Sequence, residues 1–240
     1  MQTSGYTTLT RQSGLMREMQ SIANNIANSS TIGYRREGLI FSEYIVDVDG
    51  PGGSLSMAEA NVRNTDFGQA PLTQTKGAFD FAIEGEGFFL LDTPEGQRLT
   101  RAGSFTPDAA GNLVSPDGYP LLDAGGAPVF APPDAASGAV AADGTISADG
   151  RPLTQIGVYL PADPNAMTHV AGTLFDPGGA TEPVLESSIL QGFVEQSNVD
   201  PMTEISRMIE VQHAYELGQK FLEREDERVR DVIRTLGSSS

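Results

Sequence analysis

The chain has no cysteine and no tryptophan, two histidines in 240 residues, and fifteen basic side chains against thirty-two acidic ones. Without cysteine there is no disulfide framework, thiolate metal site or thiol nucleophile. Ser-His-Asp catalysis would have to use His169 or His213, and no Gly-x-Ser-x-Gly elbow accompanies either. No His-x-x-x-His pair or other metal spacing occurs. Nothing approaches the ~20 apolar residues of a membrane span, so no membrane insertion is expected. The first thirty residues show no basic segment followed by an apolar block and a small-residue cleavage site, so no cleavable secretory signal is expected. No basic stripe suits phosphate, which argues against a nucleic-acid partner. No cofactor and no catalytic function are expected.

What is present is uneven. Of the net charge of −17, residues 39–197 carry twenty-one acidic and five basic side chains, whereas both ends are close to balance. Repulsion between copies would therefore oppose contact through the middle and spare the ends. From Met208 an apolar residue recurs at every seventh position: Met208, Tyr215, Leu222, Val229, Leu236. That is the stride of a helix keeping one seam against a partner helix. The row four positions on from it (Ile205, Gln212, Gln219, Asp226, Ile233) is apolar at its ends alone, so this helix needs other helices beside it. Near the N-terminus, Leu9, Met16 and Ala23 form one row and Gln12, Met19 and Ile26 another. Two readings stay open on periodicity: an antiparallel pair on one domain core, or a paired-terminus arm that bundles with other subunits.

The first helix is expected from about residues 4–7 to Ala27, weakened by Gly5 and Gly14 at roughly 1 kcal/mol each. The last is expected from Pro201 to Leu236, with Asp200 as N-cap, Pro201 in the first turn, and Glu204 adding favourable charge there. Pairs Glu216–Lys220 and Asp226–Arg230 are spaced for i,i+4 attraction, and Gly218 either weakens the helix or permits a close crossing. Between the helices, 27 glycines and 15 prolines in the whole chain accompany short apolar runs. Strands are expected at 79–83, 88–91, 98–101, 112–114, 119–122, 145–147, 155–159 and 190–194, with hairpin turns at Asp117-Gly118, Asp143-Gly144 and Asp149-Gly150. Residues 39–75 read as irregular, apart from strand composition at 39–48; 131–144 and 161–182 read as surface loops. Asp47-Val48-Asp49-Gly50 lacks the other ligands of a calcium loop. Gly85-Glu86-Gly87 lacks the third glycine and the helix of a dinucleotide fingerprint. The class is therefore mainly β with long terminal α-helices: an antiparallel β-rich central domain at 76–197, flanked by paired helices at 1–33 and 198–237, with an extended connection at 34–75.

The first helix ends in Ala23-Asn24-Asn25-Ile26-Ala27-Asn28-Ser29-Ser30-Thr31-Ile32-Gly33-Tyr34-Arg35-Arg36. On chemistry alone this is a polar cap and turn, in which Gly33 can take a positive φ. The run also resembles the signature of the bacterial flagellar rod and hook family, Ala-Asn-Asn-(Leu/Ile)-Ala-Asn followed by Thr-x-Gly-(Phe/Tyr) and a basic residue. The likeness continues in Ala82-Ile83-Glu84-Gly85-Glu86-Gly87-Phe88-Phe89, Thr100-Arg101-Ala102-Gly103-Ser104-Phe105, Gly111-Asn112-Leu113-Val114, Ser197-Asn198-Val199 and Met208-Ile209-Glu210, with Gln212 and Ala214-Tyr215-Glu216. His213 and Gly218 depart from the family's Arg and Asn. Length and the opening Gly5-Tyr6-Thr7-Thr8 are more like the proximal than the distal rod type.

The resemblance implies a structural subunit, bundled through its terminal helices with copies of itself and with inner and distal rod subunits into a helical tube that transmits motor torque to the hook. It implies export by the flagellar type III apparatus and a place in the periplasm-spanning rod. The assembly residues it implies are Leu9, Met16, Met19, Ala23, Asn24, Asn25, Ile26, Asn28, Thr31, Gly33 and Tyr34 at one end. At the other they are Asn198, Ile205, Met208, Ile209, Gln212, Tyr215, Leu222, Val229 and Leu236. A secreted β-scaffold enzyme or binding module and a surface fibre are the competing classes. Both helical arms are expected to order on assembly.

Overall fold

A computed structural model describes residues 2–47, 54–131, 139–148, 151–184 and 187–237, with the side chains of 2–7, 41–47 and 54–62 outside the description. The Asp149-Gly150 turn, most of the Asp47 to Gly50 run and the centre of the 131–144 loop lie outside the described residues. The chain forms two compact units. One contains Met1–Ala27, Arg36–Asp66 and Val199–Ser240; the other contains Asn28–Arg35 and Phe67–Asn198.

The first unit holds helix α1 (Gln2–Ala27), strands β1 (Glu37–Asp47) and β2 (Ser54–Thr65), and helix α2 (Pro201–Gly237). Leu15 and Ile22 of α1 and Val211 of α2 form its buried apolar cluster, with Met19, Ile26, Met208, Ala214 and Tyr215 packed around it. Burying the three fully enclosed side chains is worth roughly 1.5–3 kcal/mol each. That exceeds the roughly 1 kcal/mol which Gly5 and Gly14 each withdraw from α1. β1 and β2 form a long antiparallel hairpin with a register shift at Ile40/Phe41, where the sequence reads as largely irregular. The second strand, Ser-Leu-Ser-Met-Ala-Glu-Ala-Asn-Val-Arg-Asn-Thr, is poor in β-branched and aromatic residues, so its composition does not announce a strand.

The second unit is mainly β, with a short 3-10 turn at Pro164–Ala166. Its strands are β3 (Leu72–Gln74), β4 (Phe81–Glu84), β5 (Phe88–Thr93), β6 (Gly96–Thr100), β7 (Thr106–Pro107), β8 (Leu113–Val114), β9 (Ala139–Val140), β10 (Thr145–Ala148), β11 (Arg151–Gln155), β12 (Val158–Pro161), β13 (Thr168–Ala171), β14 (Leu174–Asp176), β15 (Thr181–Pro183), β16 (Ser188–Gln191) and β17 (Phe193–Glu195). Every described pairing is antiparallel. The largest sheet runs in the order β13-β14-β6-β5-β12-β15.

Strand β5 is the hinge of the packing. Phe89 and Leu91 point into one apolar cluster with Phe81, Leu113 and Ile156; Phe88 and Leu90 point into another with Leu99 and Phe175. A strand buried on both faces loses the apolar/polar alternation and reads as a continuous apolar run.

Several expectations are corrected. Residues 161–182 contain β13, β14 and β15, and Phe175 is buried in the second cluster. One enclosed aromatic, set between Gly172 and Asp176-Pro177-Gly178, builds a strand too short for periodicity to show. Two expected strands are each two strands: 155–159 breaks at Gly157, and 190–194 breaks at Gly192, where φ is +75°. Residues 119–122 make isolated bridges instead of a strand. Gly85 and Gly87 take positive φ between β4 and β5, and a Cβ on Gly87 would lie 2.4 Å from Val158 Cγ1. They serve strand entry.

The tightest backbone approach is at Gly103, whose carbonyl accepts from Phe81 N at 2.7 Å. A Cβ there would sit 1.7 Å from the Phe81 carbonyl oxygen. Gly103→Ala is therefore expected to destabilise the β unit by about 2 kcal/mol or more, read as a fall in its thermal midpoint. An unchanged midpoint would contradict this packing.

Candidate assembly surface

The polar end of α1 is built around Asn25. Its side chain is 0 % exposed; Oδ1 accepts from Glu37 N at 3.0 Å, and Nδ2 donates to Glu37 O at 2.7 Å and to Glu204 Oε2 at 3.2 Å. One carboxamide thus pairs both backbone groups of Glu37 as a neighbouring strand would. An Asp lacks the donor. Ser21 Oγ donates to the same carbonyl at 3.0 Å. Glu204 is 1 % exposed, and its other oxygen accepts from Arg36 Nε at 2.6 Å. It is the acidic residue of the first turn of α2, as expected, and it also serves an internal role. An unpaired buried carboxylate would cost several kcal/mol; here both oxygens have donors.

Further along the helix pair, Glu18 Oε1 accepts two bonds from Arg207, at 3.0 and 2.8 Å. Gln12 Nε2 donates to the Tyr215 carbonyl at 2.8 Å. A Cβ on Gly218 would meet Gln12 Nε2 at 2.0 Å, so Gly218 marks a close crossing. The helices run antiparallel, since Asn25, Glu18 and Gln12 meet Glu204, Arg207 and Tyr215 in turn.

These contacts revise the helix faces. Met208, Tyr215 and Leu222 are half-buried as one seam, but the row beside it is Glu204, Val211, Gly218 and Glu225, four positions before Met208, Tyr215, Leu222 and Val229. The row expected there, represented by Ile205 and Gln212, is exposed. On α1, Met19 and Ile26 turn inward with Leu15 and Ile22, whereas Leu9, Met16 and Ala23 are exposed, as is Asn24. Ile209, Val229 and Leu236 are also exposed. Of the two expected helical ion pairs, Asp226–Arg230 forms at 2.7 Å; Glu216–Lys220 is not among the described ion pairs.

The second half of the Asn-rich run belongs to the β unit. Asn28 and Thr31 close a turn, Thr31 Oγ1 donating to Asn28 Oδ1 at 3.1 Å. Gly33 has φ +73°, and a Cβ on it would lie 2.2 Å from Ala102 N. Its N–H donates to Glu195 O at 2.8 Å. Tyr34 is buried edge-on to His169, and its carbonyl accepts from Asn198 N at 3.4 Å. Arg35 reaches Glu195 Oε1 at 2.6 Å, Arg101 reaches Oε2 at 3.1 Å, and Ala70 N donates to Oε1 at 2.7 Å. Burial pushes the Arg101 guanidinium down from its ordinary pKa, opposed by the charge of Glu195. Sequence reasoning did not find Glu195, Arg35, Arg101 or Glu204 as buried ions, because one chain's composition does not show which charges lie inside.

Among the described residues no group of three His, Asp or Glu stands together as a metal site, and no helix is long and apolar enough to cross a membrane.

Residues 82–148 match the family described as the flagellar hook protein FlgE/F/G D1 domain, and 190–235 match the flagellar basal body rod FlgEFG protein C-terminal family. The chain is 36 % identical, over all of both chains, to a flagellar basal-body rod protein FlgF of Mesorhizobium japonicum. It is 34 % identical, again over all of both, to a FlgF of Rhizobium meliloti. The chain belongs to the flagellar basal-body rod protein family. A FlgG of Bacillus subtilis is 28 % identical over 95 % of this chain and 97 % of its own, so within the rod family the chain is FlgF-like. It is a structural rod subunit, and α2 lies almost wholly within the matched C-terminal segment of this rod protein.

Two outcomes test the geometry. Glu195→Gln leaves two buried guanidinium groups without their carboxylate and is expected to cost about 3–5 kcal/mol in denaturant unfolding of the β unit; a cost under about 1 kcal/mol would contradict the cluster. Asp200 caps α2, accepting from Thr203 Oγ1 at 2.5 Å and Met202 N at 3.1 Å. These bonds lower its pKa, the Thr203 bond most. With the folded value depressed, the stabilisation is present above the ordinary carboxylate range and lost as pH falls through the folded value. Asp200→Ala should therefore lower helicity by circular dichroism at neutral pH and converge with the parent in strong acid. A pH-independent difference would contradict this.

Proposed function

We propose that this rod subunit joins copies of itself, and other rod and hook axial proteins, into a helical tube through its terminal segments, 1–33 and 198–237. The tube carries motor torque to the hook, and the flagellar type III apparatus exports the chain. Catalysis and cofactors have no part in this reading.

The observation that carries it is the division of labour on the helices. Leu15, Ile22 and Val211 close the single chain, while Leu9, Met16 and Ala23 on α1 and Met202, Ile205 and Ile209 on α2 stay exposed. In an antiparallel pair, rows displaced in the same rotational sense from the shared seam fall on one side, so these two sets make one apolar face. Interfaces between identical subunits that do not close into a ring extend into filaments, and the near-balanced charge of the ends permits such contact.

Met16→Asp and Ile209→Asp test this, because exposed positions change monomer stability little, within about 0.5 kcal/mol. Each variant is expected to fold like the parent, remain monomeric, and leave cells without hook and filament while the MS ring is retained. Normal hooks in cells carrying both substitutions would overturn it.

A further inference from the structure

The seam on α2 runs past the helix that fills it. Asn25 lies beside Glu204 and Gln12 beside Tyr215, and with equal rise on both helices Gln2 falls beside about residue 225. The same heptad rows continue, Val229 following Leu222 and Val232 following Glu225. Yet Val229 is 43 %, Val232 53 % and Leu236 66 % exposed. An apolar stripe that is filled along the first two-thirds of α2 is therefore open beyond the end of α1.

We propose that α1 of a second copy of this chain covers this overhang, using its own outward row of Leu9, Met16 and Ala23. This rests on the tube reading and names the contact within it. Three observations select the occupant. Apolar positions on α1 recur at the same spacing of seven as those they would meet, so the two rows interlock along a shared length. Around the overhang, residues 223–231 carry five acidic and three basic side chains, and three of the five acids are paired along the helix, through Arg228–Glu225, Arg230–Asp226 and Arg234–Asp231. A second α2 would set this acidity against itself, whereas residues 8–27 of α1 carry Arg11 and Arg17 against the single acid Glu18. The contact joins two different surfaces, so it propagates from copy to copy.

The absence of cysteine makes the test clean. Met16 lies beside about residue 211 of its own α2, roughly 27 Å along the helix from Val229, and a disulfide needs Cα atoms within about 7 Å. Met16→Cys/Val229→Cys and Met16→Cys/Val232→Cys chains, expressed in flagellated cells and oxidised, are expected to give a ladder of multimers on non-reducing gels for at least one pair. Each single variant should stay monomeric. No ladder for either pair, with the chain present in purified basal bodies, would overturn this contact and leave the tube reading standing. Dimers from a single variant would place like rows together and overturn it too. Basal bodies lacking the chain altogether would overturn both.

Discussion

A carboxylate enclosed at the start of the last helix holds the first unit together. Glu204 draws Asn25 from α1 and Arg36 from the start of the hairpin onto α2, and Asn25 in turn grips both backbone groups of Glu37. Apolar packing supplies most of the stabilisation between α1 and α2, but it slides easily along a heptad. Hydrogen bonds to an enclosed charge have one satisfying register, because any slip leaves a buried group unpaired. Glu204 thus sets which residues of the two helices face inward, and by remainder which face out.

The β unit uses the same device at Glu195, which binds Arg35, Arg101 and the Ala70 amide. The Asn-rich run is therefore anchored by different chemistry in its two halves: a carboxamide on backbone in the helical unit, and a guanidinium on carboxylate in the β unit. Gly33 is required between them because its left-handed backbone lies too close to Ala102 for any side chain. Both ties hold their segments in one arrangement, because a slip would leave a buried charge unpaired.

Much of this was legible in the sequence. The two helices, the Asp200-Pro201 start of α2, the end of α1 at Ala27 and the antiparallel character of the centre follow from caps, spacing and turn residues. The inner row of α2 was hidden for a physical reason. Glu204, Val211, Gly218 and Glu225 include one apolar residue; Glu204 becomes an interior position through Asn25 and Arg36, and Gly218 an inner one through the close approach of Gln12. Hydropathy cannot register a glycine that admits a neighbour or an acid whose partners lie over 150 residues away. Likewise β14 is a strand because Leu174 and Phe175 pair with Thr100 and Leu99, a long-range fact absent from the local pattern.

Within one chain the inward rows of α1 and α2 meet, and the apolar residues of the overhang are exposed, which bears on the expectation that both arms order on assembly. Amide hydrogen exchange on α2 in the free monomer and in the assembled rod separates the two segments in one measurement. Protection of residues 204–222 in the monomer, with 229–236 exchanging freely until assembly protects them, is the expected result. Equal exchange along the whole helix in the monomer, or no gain at 229–236 on assembly, would contradict it.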